Sequence, residues 1–117
     1  MKKVLIVDDD VGIVEVLKLI VEDGGFRVET IYKADETIKE AIIFQPDLIL
    51  LDVLISGIDG RDICKELKTE TQTKDIPVIM ISAHPGAAQS VKNCGADDFI
   101  AKPFDLDQLL GKIKQHM

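Results

Sequence analysis

Hydrophobic residues along the chain follow two alternating spacings, and the alternation predicts strands separated by helices. Short apolar runs such as residues 4–7 and 48–51 are typical of strands buried on both faces. Between the runs, apolar residues recur every three or four positions, as they do in amphipathic helices. The predicted strands span residues 4–7, 27–31, 48–51, 78–81 and 98–101.

A helical pattern follows each predicted strand. The first helix begins near Val11 and ends at Gly24-Gly25, where glycine suits a left-handed cap. The other four are centred on residues 34–42, 63–67, 87–94 and 106–113. Strands that alternate with helices pair in parallel, and right-handed crossovers place the helices on both faces of the sheet. We therefore predict an α/β fold with a doubly wound, five-stranded parallel sheet, a fold that binds ligands where its strands end.

Length and charge narrow the class of protein. The 117 residues, 46% of them hydrophobic, suit one domain with its own core, and the apolar runs are too short to span a membrane. A net charge of −7 argues against direct binding to nucleic acid or an anionic membrane. The two cysteines, Cys64 and Cys94, fit no metal-binding spacing and are expected to be reduced and buried. We expect a soluble, cytoplasmic protein.

Three adjacent carboxylates, Asp8, Asp9 and Asp10, follow the first predicted strand. Capping of the next helix explains one or two of them, and Asp10 is the expected N-cap. A third carboxylate adds repulsion that capping does not require, and a divalent cation would relieve it. Capping alone and metal binding both remain possible at this point.

A further carboxylate, Asp52, lies inside an apolar segment at the end of the third predicted strand. An unpaired carboxylate there would cost several kcal/mol, so some group must compensate its charge. Mg²⁺ suits one to three carboxylates together with water, a carbonyl and a phosphate oxygen. Hydrogen bonds from loop amides are the alternative.

The next two strands end in Ser82 and Lys102, each of which is a weak signal alone. Together with the carboxylates they suit phosphoryl transfer. A metal ion and an ammonium neutralise phosphate oxygens, a hydroxyl donates a hydrogen bond, and Asp52 can act as the nucleophile.

Five segments resemble the signature blocks of response-regulator receiver domains, in the same order and over essentially the whole chain. They are Val7-Asp8-Asp9, residues 46–52 (PDLILLD), residues 57–60 (GIDG), Ile81-Ser82-Ala83 and Ala101-Lys102-Pro103-Phe104. The resemblance implies the flavodoxin-like strand order 2-1-3-4-5. It also implies that residues 1–117 form one receiver domain without an output domain, similar to single-domain chemotaxis regulators.

The resemblance assigns roles to these residues. Asp52 would accept a phosphoryl group from a histidine kinase or a histidine phosphotransfer protein, and Ser82 and Lys102 would bind the phosphate. Mg²⁺ would be held by Asp8, Asp9, Asp52 and the main-chain carbonyl of Leu54. A cis peptide bond is expected before Pro103, a residue type at which cis bonds are inexpensive. The protein would not be an enzyme, although it would assist its own phosphorylation and dephosphorylation.

Four positions bear on switching and on departures from the family pattern. Phe99 stands where an aromatic residue turns inward together with Ser82 after phosphorylation, and a plain core aromatic is the alternative. Leu54 and His84 border the expected phosphate and are candidates for setting its lifetime; His84 either orients water or faces solvent. Ser56 replaces the usual proline, so the loop after Asp52 is expected to be less rigid.

Competing functions fit less well. A flavin carrier would place its phosphate against Asp8-Asp9-Asp10, and an aspartyl-phosphate phosphatase normally has an acid where Leu54 stands. The alternative that remains is a degenerate receiver that binds partners without phosphorylation.

We expect a downstream protein effector and either a monomer or a phosphorylation-dependent dimer. The chain ends one helix after Lys102, as in a stand-alone receiver or a domain of a longer protein; Met1 favours an authentic N-terminus.

Overall fold

Five parallel strands and the helices between them build the structure, a computed structural model that describes residues 1–84 and 86–117. The strands of this main sheet are β1 (Lys3–Val7), β2 (Arg27–Ile31), β3 (Leu48–Asp52), β6 (Val78–Ser82) and β7 (Asp98–Ala101), and a separate antiparallel hairpin consists of β4 (Leu54–Ile55) and β5 (Ile58–Asp59). The α-helices are α1 (Val11–Asp23), α2 (Thr37–Phe44), α3 (Gly60–Thr69), α4 (Ala87–Val91) and α5 (Leu106–Gln115). Two 3-10 turns, Ala34–Glu36 and Lys92–Cys94, precede α2 and follow α4.

The large sheet has the strand order β2-β1-β3-β6-β7, and all of its pairings are parallel. This is the expected order 2-1-3-4-5 once the small hairpin of β4 and β5 is left out of the count, so the predicted fold class is confirmed. Helices cover both faces, because alternate strand residues contribute to two separate cores. Helices α1 and α5 pack on one face, and α2, α3 and α4 pack on the other.

Burial on both faces explains the continuous apolar strands. In β1, Leu5 and Val7 point to the face of α2, α3 and α4, whereas Val4 and Ile6 point to the face of α1 and α5. All four side chains are buried. At the sheet edge, β2 alternates exposed and less exposed positions, as its sequence pattern predicts.

Two features differ from the sequence-based expectations. The helix predicted over residues 87–94 is an α-helix only to Val91, and it closes as a 3-10 turn before Gly95, which has a left-handed φ of 88°. The hairpin of β4 and β5 was not predicted, because two-residue strands are too short to show a period.

Both cysteines are buried and reduced, as expected. In the described ranges, no helix has the length and hydropathy needed to cross a membrane.

Asp98, at the start of β7, joins the sheet to the last turn of α5. Its carboxylate accepts hydrogen bonds from Lys112 Nζ at 2.8 Å, and it lies 2.9 Å from His116 Nε2. Burial alone would raise the pKa of Asp98, but the bonds from Lys112 and His116 outweigh it and lower the pKa to about 2. The ionised carboxylate is therefore the form that the folded state favours.

We expect Asp98→Asn to reduce the free energy of unfolding near neutral pH by roughly 1 to 2 kcal/mol, since partial exposure screens the ion pair. Because the folded pKa is below the unfolded value, this contribution is full above about pH 4 and is lost as the pH falls towards 2. Urea unfolding of wild type and variant between pH 2 and 7 would measure it. The matched control is Asp75→Asn, which removes an exposed loop carboxylate. A deficit that did not shrink in acid would contradict this account.

Candidate functional site

Strand register brings the candidate residues to one edge of the sheet. Val7 pairs with Leu51 and Asp52 pairs with Ile81, so Asp8, just after β1, and Asp52, the last residue of β3, lie at the same level on neighbouring strands. Ser82 ends β6, and Lys102 directly follows β7. The four polar side chains thus meet where their strands end, the edge at which such sheets bind ligands.

Asp8, Asp9 and Asp52 form a cluster with one carboxylate oxygen each, all within 4.8 Å of one another. Lys102 Nζ lies 3.1 Å from Asp8 Oδ2 and 3.4 Å from Asp52 Oδ1. Side-chain exposure is only 3% for Asp8, 12% for Asp52 and 15% for Lys102. One ammonium among three carboxylates leaves a net negative charge, and oxygen donors at this spacing fit a divalent cation such as Mg²⁺.

The pKa of Asp52 records this excess of negative charge. Burial and, to a smaller extent, the charge of Asp8 raise it to about 6, because Lys102 offsets them only in part. The lysine therefore does not by itself compensate the buried carboxylates. An additional cation would favour the ionised form that a nucleophile requires.

Hydrogen bonds hold the Asp52 carboxylate in a defined orientation. The backbone N–H of Val53 donates to Asp52 Oδ1 at 3.0 Å, and the lysine ammonium approaches the same oxygen. In the hydrogen-bond network of residues 1–84 and 86–117, no bond reaches Oδ2. One oxygen is thus anchored and the other remains available to a ligand.

Asp9 is positioned by the residue that departs from the family pattern. The Ser56 backbone N–H and hydroxyl donate to Asp9 Oδ2 at 2.8 and 2.9 Å. Partial desolvation opposes ionisation of Asp9, but these bonds outweigh it and hold its pKa below the usual value. Proline has no N–H and cannot adopt the φ of 49° that Ser56 has. Serine therefore ties the loop after Asp52 to the acidic cluster.

Asp10 has the capping role expected from the sequence. Its side chain accepts a hydrogen bond from the Ile13 N–H at 3.2 Å, at the start of α1. Its own N–H donates to Asp8 Oδ1 at 3.0 Å, which helps to orient that buried carboxylate. The three adjacent carboxylates thus divide between capping, by Asp10, and the acidic cluster.

A pocket of about 650 Å³ opens beside Asp52, Ser82 and Lys102. Leu54 and His84 also line it, and Leu54 is 64% exposed. The His84 N–H donates to Ser82 Oγ at 3.0 Å. Elsewhere, Phe99 is partly buried against the core under α3 and α4, and the Lys102-Pro103 peptide bond is cis.

Sequence reasoning missed a polar network on the far wall of this pocket. The Arg61 guanidinium donates twice to the Asp59 carboxylate at 2.8 Å and once to Ser90 Oγ at 2.7 Å. These bonds lower the pKa of Asp59 and connect the start of α3 to α4. The only sequence signal was Asp59 as the N-cap of α3, because a contact between helices far apart in the chain has no local pattern.

Gly60 allows the chain to pass close to Asp52. A Cβ added at Gly60 would overlap the carbonyl oxygen of Asp52 and lie 3.1 Å from the carbonyl oxygen of Val53. Its N–H donates to that Val53 oxygen at 2.6 Å. The requirement for glycine here comes from close backbone approach, since its φ is not in the left-handed region.

The geometry thus sets an anchored carboxylate beside an ammonium at the carboxyl edge of a doubly wound sheet. The chain belongs to the response regulator receiver domain family, whose sequence model matches residues 4–114. Members of this family receive signals in two-component systems.

Similar proteins include transcriptional regulators. The chain is 33% identical, over 97% of its length, to the DNA-binding dual master transcriptional regulator RpaA of Synechocystis. It is 36% identical, over 99% of its length, to the phosphate regulon transcriptional regulatory protein PhoB of Escherichia coli. It spans about half of each relative, 48% and 52%.

Solved structures agree with this family. A putative response regulator from Chloroflexus aurantiacus aligns with a TM-score of 0.93 at 32% identity, covering 98% of this chain and 96% of that one. The chemotaxis protein CheY4 of Vibrio cholerae aligns with a TM-score of 0.92 at 29% identity, covering 100% of this chain and 99% of that one.

We expect Gly60→Ala to lower the free energy of unfolding by about 2 kcal/mol or more, because the new methyl group must displace the Asp52 backbone. Gly111→Ala is the matched control: nothing lies within 4 Å of its added Cβ in α5. Alanine there should stabilise by roughly 0.5 kcal/mol. Urea denaturation of wild type and both variants would measure the change in the free energy of unfolding that each substitution causes. Equal effects would show that close approach at residue 60 is unimportant.

Proposed function

We propose that Asp52 accepts a phosphoryl group from a phosphohistidine, on a histidine kinase or a histidine phosphotransfer protein, and that the phosphate changes binding of a downstream protein. The observation that supports this most directly is the anchored Asp52 carboxylate, which shares Lys102 with Asp8 beside an open pocket. The proposed partners and a cytoplasmic location belong to the same proposal.

The transfer needs one new bond and one broken bond. An Asp52 oxygen forms a bond to phosphorus while the bond from phosphorus to the histidine nitrogen breaks, and its electron pair returns to the imidazole ring. Lys102 and the hydroxyl of Ser82, which line the same pocket, would stabilise the phosphoryl oxygens. Phosphoryl transfer depends mainly on such positioning and charge neutralisation, so the site requires little further machinery.

The carboxylate cluster supports a role for Mg²⁺. Asp8, Asp9 and Asp52 would hold the ion, with the main-chain carbonyl of Leu54 as a further proposed ligand. When bound, the ion would neutralise carboxylate and phosphoryl charge as phosphoryl transfer occurs. Ser56 would keep the exposed Asp9 carboxylate directed towards the cluster through its two hydrogen bonds.

The alternative function is a degenerate receiver that binds partners without phosphorylation. Such a protein would be expected to lack an acid, the hydroxyl or the lysine, whereas this chain has all of them. The raised pKa of Asp52, about 6, also reflects burial beside the charge of Asp8, which a bound cation would relieve. A phosphorylatable receiver is therefore the better account.

Incubation with Mg²⁺ and acetyl phosphate should add about 80 Da to the intact mass, as one phosphoryl group on Asp52. Asp52→Asn and removal of Mg²⁺ should each abolish the adduct. Asp10→Asn is the matched control, since asparagine retains the helix-capping oxygen outside the cluster, and it should keep the adduct. A folded wild-type protein that gains no mass, beside a receiver that does, would favour the degenerate alternative.

The proposed switch couples Ser82 to Phe99 and changes the surface formed by α4, β7 and α5. Phosphorylation should therefore shift amide NMR signals on that surface, and Phe99→Ala should remove most of the shift. Phe26→Ala, on the opposite face of the sheet, is the control and should retain it. An unchanged response in the Phe99 variant would leave that residue a plain core aromatic.

The proposed lifetime residues are Leu54 and His84. Leu54→Asn should speed loss of the phosphate by roughly two- to tenfold, because a polar side chain admits water to the pocket. His84→Ala should slow the loss if the ring orients that water. After acetyl phosphate is removed, the intact mass of the protein would be measured over time to follow loss of the phosphoryl group. The control Ile58→Asn alters an exposed residue of the same hairpin outside the pocket lining. Unchanged decay in both lifetime variants would refute the assignment.

A further inference from the structure

The only two cysteines of the chain lie in contact, although they are 30 positions apart in the sequence. Cys64 lies in the middle of α3, and Cys94 closes the 3-10 turn after α4. Cys64 Sγ donates to the Cys94 carbonyl oxygen at 3.5 Å, and Cys94 Sγ donates to the Val91 carbonyl at 3.0 Å. Neither thiol has a part in the proposed phosphoryl transfer.

The structure places the Cys64 side chain directly against Cys94. Cys64 Sγ lies 3.5 Å from the Cys94 carbonyl oxygen, so the two residues touch where α3 meets the turn after α4. Disulfide formation from this contact would proceed by rotation of the side-chain torsions that brings the two sulfur atoms together.

Cys94 is the less buried member of the pair, with 7% of its surface exposed. It lines a second pocket of about 260 Å³ together with the charged residues Arg61, Asp62 and Lys65. Cys64 is fully buried behind it. A small oxidant would thus meet Cys94 first, with Cys64 placed to react second.

We propose that Cys64 and Cys94 form a reversible intramolecular disulfide when the protein meets a peroxide. In the first step, the Cys94 thiolate attacks one peroxide oxygen, the O–O bond breaks, and protonation of the departing oxygen gives water and a sulfenic acid. In the second, Cys64 sulfur attacks Cys94 sulfur, the S–O bond breaks, and a second water leaves. Two thiols are oxidised and one hydrogen peroxide is reduced to two waters.

The disulfide would connect α3 to the end of α4. Helix α4 has only five residues before its 3-10 turn, and its Ala87 and Ser90 line the larger pocket beside Asp52. A covalent bond at Cys94 would restrain this wall in addition to the Arg61–Ser90 hydrogen bond. Disulfides of intracellular proteins are often transient and redox-sensing, and a pair separated by one short helix from a binding pocket suits that use.

The full chain should be treated with hydrogen peroxide under native conditions and analysed by intact mass and thiol alkylation. We expect a monomer roughly 2 Da lighter, with both thiols protected from alkylation and both restored by dithiothreitol. Amide hydrogen exchange in residues 86–95 should slow by roughly tenfold in the oxidised form. Cys64→Ala and Cys94→Ala should each remove the lighter species, and circular dichroism would confirm that they fold.

The wild-type measurement decides the proposal even if a variant fails to fold. Gains of about 16 or 32 Da that peptide mapping locates on the cysteines, rather than on the three methionines, without the lighter species would mean isolated thiol oxidation and would overturn it. Disulfide-linked dimers as the sole product, or two thiols that stay reduced while added glutathione is oxidised, would overturn it as well. None of these readouts involves phosphate, so the outcome is independent of the function proposed for Asp52.

Discussion

The shared ion pair of Lys102 with Asp8 and Asp52 is the interaction on which the site depends. One largely buried ammonium lies 3.1 Å from the buried Asp8 carboxylate and 3.4 Å from the largely buried Asp52 carboxylate, and one positive charge cannot neutralise both. Burial, together with the charge of Asp8, raises the pKa of Asp52, and additional positive charge would be favourable there. A site with balanced charge would be more stable in isolation, but it would have less tendency to recruit a cation.

The parallel sheet makes this arrangement possible. Its register sets Asp8, Asp52, Ser82 and Lys102 at the ends of four strands, so residues from distant parts of the chain converge at one edge of the sheet. Nearby backbone contacts complete the site. Gly60 permits the chain after Asp52 to fold back against that residue, and Ser56 ties the same loop to Asp9.

Helix α4 forms the wall of the pocket opposite the carboxylates. Helix α4 is short, and it is held by the bond from Arg61 to Ser90 and by the packing of Cys94 against Cys64. Helix α4 borders the pocket beside Asp52. A shift of α4 would therefore connect the proposed phosphorylation of Asp52 to the proposed protein-binding surface. A change at either end of α4 would then affect the same wall.

Sequence alone determined the fold class, the strand order through a family resemblance, and the residues of the acidic cluster. These depend on local patterns: buried strands are continuously apolar, and a polar side chain at a strand end interrupts that pattern visibly. Tertiary structure alone decided the contacts between separate elements. Arg61 with Ser90, Ser56 with Asp9, and Cys64 with Cys94 each join segments whose spacing in the sequence shows no period. Such pairs arise from the packing of helices and loops against the finished sheet, so their geometry exists only in the folded chain.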